Sequence, residues 1–142
     1  MANEITILSK LTAAKGGSSV TNYTSDFTIT MAAALTKMAN LVQGVGTARE
    51  AVNLGDIDIT NATGDEYWVR FTNNDATNFV IVEVQTGAAT YWTVGKMYPG
   101  ETWGPVRMAK LDGSGYGGLF LDADTAACDV DVTACEAGDP TA

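Results

Sequence analysis

The chain has 142 residues and 14.9 kDa, and its 17 acids against 8 bases give a net charge of −9 and a pI near 4.2. That length suits one domain able to bury about 68–70% of its unfolded surface, so its core needs no metal or disulfide staple. Clustered Lys and Arg are missing, which argues against nucleic acid and disfavours anionic membrane surfaces, and with no histidine Ser-His-Asp and Cys-His nucleophilic sets are excluded.

In chain order, short windows with alternating or apolar character are each closed by Gly, Asn, Asp or Pro. "EITILSKL" (4–11) comes first, with Ile5, Ile7 or Leu8, and Leu11 facing inward, and "GGSS" (16–19) breaks the chain. "DFTITMAAAL" (26–35) alternates Phe27, Ile29 and Met31 with Thr28 and Thr30, which is period two. "LTKMANLVQGVG" (35–46) is ambiguous between a short helix and a strand, because Leu35, Met38, Leu41 and Val42 also fit helical spacing. "REAVNLGDIDITN" (49–61) reads as strand, break at Gly55, and a short alternating piece.

The most hydrophobic stretch is "YWVRFTNNDATNFVIVEVQTG" (67–87). Tyr67, Val69 and Phe71 share one strand face, and Val80, Val82 and Val84 share another. The six-residue bridge 73–78, polar but for Ala76, reads as a hairpin loop between the two runs, and this pair is the expected centre of the core. "YWTVGKM" (91–97) follows, then "YPGE" (98–101), whose Pro-Gly pair signals a type II turn. "TWGPVRMAKL", the glycine-rich loop "DGSGYGG" (112–118), "LFLDAD" and "CDVDVTAC" complete the series. The resulting fold class is all-β: an antiparallel sandwich or jelly roll of eight to ten short strands with at most one short helix. A single domain is expected over 1–135, with 1–15 as a possible N-terminal arm and 136–142 as an acidic tail. Both termini are expected to be pinned by contacts.

From Leu111 onward there are seven acids (Asp112, Asp122, Asp124, Asp129, Asp131, Glu136, Asp139) and no base. A solvated face accounts for that run. The i,i+2 pairs Asp122/Asp124 and Asp129/Asp131 are the only candidates for a divalent cation, and the segment lacks the glycine and ligand run of an EF-hand loop. No metal, no cofactor and no catalytic residue is therefore assigned, and the protein is expected not to be an enzyme. Cys128 and Cys135 would stand roughly 23 Å apart on one extended strand, at about 3.3 Å per residue and on opposite faces. They read as small apolar fillers, with a cross-subunit bond as the lesser alternative. The N-terminus lacks the basic-then-apolar pattern of a secretory signal, and no apolar run reaches the roughly 20 residues of a spanning helix.

"NLGDIDITN", "YWVRFTNNDATNFVIVEV" and "KMYPGETWGPVRM" together resemble the small virion structural proteins of tailed bacteriophages. The resemblance spans residues 53–108. It implies a capsid decoration or cement protein made in the host cytoplasm and placed on the virion surface, with the major capsid protein and copies of itself, in a homo-oligomer such as a trimer, as partners and no membrane contact. The alternative is a glycan-binding module on the particle's tail or surface. Ile5, Ile7 and Leu11 in a strand added to a neighbour's sheet edge, with Trp68, Tyr98 and Trp103, are the interface candidates.

Overall fold

The computed structural model describes residues 4–16, 18–30, 37–60 and 64–137, and they divide into two compact units, one holding 4–30 and the other 37–137. The first is a single antiparallel hairpin. Its strands β1 (Glu4–Lys15) and β2 (Ser18–Thr30) run in register from Glu4 opposite Thr30 to Lys15 opposite Ser18, with one irregularity between Ile7 and Ser9. Both termini, residues 31–36 and most of the acidic tail lie outside the described residues, and so do the expectations made for them. The described part of the N-terminal element is a two-stranded unit over 4–30.

The second unit is an antiparallel β-sandwich of eight strands. One sheet has the order β3 (Met38–Val45), β10 (Cys128–Glu136), β5 (Tyr67–Asn73), β8 (Thr102–Met108). The other has the order β4 (Glu50–Ala51), β9 (Leu119–Ala123), β6 (Val80–Gly87), β7 (Thr90–Met97). All described residues are strand, turn or loop, with no helix. The ambiguous window resolves as strand at β3, where β10 pairs along its length from Met38 opposite Cys135 to Val45 opposite Cys128. The stretch after Gly55, expected as a short strand, is loop: Asn53 Oδ1 accepts from the Gly55 amide and Asp58 Oδ1 from that of Thr60. Side chains that capture nearby amides in this way draw the backbone out of a ladder.

The expected hairpin of β5 and β6 is corrected. These strands belong to different sheets, and residues 74–79 arch from one to the other. The physical reason lies in their faces. A hairpin would set both apolar faces side by side in one layer, still uncovered. The arch turns them towards each other, so that Tyr67, Val69 and Phe71 meet Val80 and Val82 in a common core, all at 1% exposure or less. As central strands, β5 and β6 do form the middle of that core, with Met97, Leu121, Val130 and Val132 around them.

The polar arch is closed by its own side chains. Asn73 is fully buried and donates from Nδ2 to the carbonyls of Asn78 (2.9 Å) and Met97 (3.1 Å), while its Oδ1 accepts from the Asp75 amide (3.0 Å). Asp75 Oδ1 accepts from the amides of Thr77 (2.7 Å) and Asn78 (2.6 Å), and these bonds hold the Asp75 carboxyl below its ordinary pKa. Thr125 ties the arch to the β9–β10 turn through Asn78 Oδ1 (2.7 Å).

Candidate functional site

The acidic pairs do not converge. Asp122 sits between buried Leu121 and Ala123 on the outer side of β9, and Asp124 is exposed just beyond that strand's end. Asp129 and Asp131 lie between buried Cys128, Val130 and Val132 on the outer side of β10, in the other sheet. Asp122 and the Asp129/Asp131 pair therefore lie on the outer sides of different sheets. Among the described residues, no group of three or more Cys, Asp or Glu side chains could hold a metal ion.

Cys128 and Cys135 are both free and both on β10, the first buried in the core and the second half-buried on the outer face. Burial pushes both thiols above their ordinary pKa, which disfavours the thiolate form. Cys135 belongs to a row across the outer face of its sheet, Met38–Cys135–Trp68–Arg107. Trp68 is half-buried there, and Arg107 pairs with Glu66 (2.6 Å).

The remaining interface candidates scatter. In the hairpin unit Ile5 is buried, Ile7 half-buried and Leu11 68% exposed. Trp103 is half-buried. Its ring stacks on Phe71 at 5.5 Å and lies over Gly95, where an added Cβ would meet the indole at 2.3 Å, so only glycine admits it. Tyr98 is 53% exposed at the end of β7.

Around Tyr98 the structure assembles a surface that was only partly anticipated. Strand β7 is the edge of its sheet, and it carries Trp92 (67% exposed) and Val94 (46% exposed). Val94 has no register partner, because the ladder jumps from Val82–Gly95 to Glu83–Thr93. This bulge turns the strand and frees the side chain. Trp92 pairs with Val84 and so shares the core-facing side of the sheet, but at this end it emerges from the sandwich. Lys96 extends across two rings, its Nζ 3.4 Å from the centroid of Phe79 and 4.8 Å from that of Tyr98. Further along the outer face, the Arg49 guanidinium bonds Glu83 through both Nε and Nη2, lies 3.9 Å from the Tyr91 ring centroid, and Tyr91 meets Phe120 edge-on at 5.0 Å. The hydrogen bond to Glu83 raises the Arg49 pKa further, so this cation is permanent. A sequence signal for the strip did exist: between Glu83 and Glu101 there is no acid and a single base, Lys96, in a chain of net charge −9.

The three stretches that suggested virion proteins are turn chemistry. The first is the loop after Asn53, the second the arch 73–78. The third is a type II turn in which Gly100 takes φ 77°, the Glu101 amide donates to the Tyr98 carbonyl (2.9 Å) and the Tyr98 amide donates to Glu101 Oε2 (2.9 Å). Such motifs serve any sandwich that must turn tightly. The family model described as Brucella outer membrane protein 2 matches residues 11–138, about nine-tenths of the chain. The chain belongs to the Brucella outer membrane protein 2 family. Among curated proteins and among solved structures, nothing matches it.

Membership of the Brucella outer membrane protein 2 family overturns the resemblance to phage virion proteins. With it go the capsid decoration role, the glycan-binding alternative, the partnership with a major capsid protein and with further copies in a capsid, the virion location and the exclusion of membranes.

Proposed function

We propose that this protein is a non-enzymatic component of a bacterial outer membrane, seated at the bilayer surface by its sandwich unit. Family membership supports the location. The observation that carries the mode of attachment is the direction of the alternation. A strand that faces lipid alternates apolar-out and polar-in. Strands β5, β9 and β10 do the opposite: Tyr67, Val69, Phe71, Leu121, Val130 and Val132 turn inward and fill the space between the sheets, while Arg70, Asp122, Asp129 and Thr133 turn outward. The sandwich thus has a water-facing exterior, with exposed apolar side chains on its edge strands β3 (Met38, Val42) and β7 (Trp92, Val94). A non-catalytic role fits a chain without histidine among whose described residues no three acids or cysteines converge.

Fractionation of bacteria producing the chain tests the reading. The expected result is recovery with the outer membrane and release by alkaline carbonate, as for a surface-bound protein. Recovery in the soluble fraction overturns the location, and retention after carbonate overturns the surface mode.

A further inference from the structure

We draw no further inference here: the strongest candidate, the uncharged edge strand β3 with Met38 and Val42 exposed on its outer side, carries nothing because nothing in the structure shows what covers it.

Discussion

The dipeptide Tyr-Trp occurs twice, as Tyr67-Trp68 at the start of β5 and Tyr91-Trp92 in β7, and the two copies meet opposite fates. On β5, Tyr67 is fully buried and Trp68 half-buried; on β7, Tyr91 is half-buried and Trp92 is 67% exposed. The residues are identical, so the difference comes from position. Strand β5 has neighbours on both sides, β10 and β8, and the second sheet over its inner face. Strand β7 has one neighbour, β6, and its far end projects past the core. An aromatic residue is core or contact surface according to how many layers surround its strand.

The widest separation between the two strands should appear in stability. Phe71→Ala removes a fully buried ring from the centre of β5 together with its stack on Trp103, and should cost about 3–5 kcal/mol in urea denaturation. Asn73→Ala, at the other end of β5, strips two backbone carbonyls and one amide of their partner inside the arch and should cost about 2–4 kcal/mol. A loss below 1 kcal/mol for either would mean that the arch and central strand are not the anchor of the sandwich. Tyr67→Phe should move the other way. The Tyr67 hydroxyl is buried without a hydrogen-bond partner among the described residues, and burial pushes its pKa far above the ordinary tyrosine value. Removing it should raise stability by about 1 kcal/mol, and a decrease would reveal a partner for that oxygen.

The sequence exposed the sandwich but hid its wiring. Alternation in 67–71 and 80–84 marks the inward faces directly, because a period of two admits only one partition of side chains. Which strands pair is not local information: a six-residue polar link closes a hairpin or an arch equally well, and only the need to cover two apolar faces at once decides for the arch. Asn73 was read as a loop residue because asparagine is usually exposed, yet here three hydrogen bonds make its burial affordable. Of the exposed aromatics, Tyr98 was legible as an interface candidate and Tyr91-Trp92 as a pair split between two sheet faces; which of that pair would be the more exposed was not, since it depends on how far the facing sheet extends.

A smaller effect follows from Asp75. Its folded pKa lies below the ordinary value because the amides of Asn78 and Thr77 donate to the carboxylate. A group depressed in the folded state adds stability above its unfolded pKa and loses it as pH falls through the folded value. The stabilising contribution of Asp75 should therefore be complete at neutral pH and fade from about pH 4 downward. Melting temperatures of the parent and Asp75→Asn should differ at pH 7 and converge in acid; a gap independent of pH would show that the charge on Asp75 is not what closes the arch.

The smallest expected change in stability belongs to Trp92→Ala, and its smallness is informative. A side chain with two-thirds of its surface in water has little burial to lose, so the urea midpoint should shift by no more than about 0.5 kcal/mol in free energy. The same substitution in the other Tyr-Trp pair, Trp68→Ala, should reverse the pattern, costing more stability because that indole is half-buried against the row of Cys135 and Arg107. Equal effects of both substitutions on folding would erase the distinction between central and edge strands.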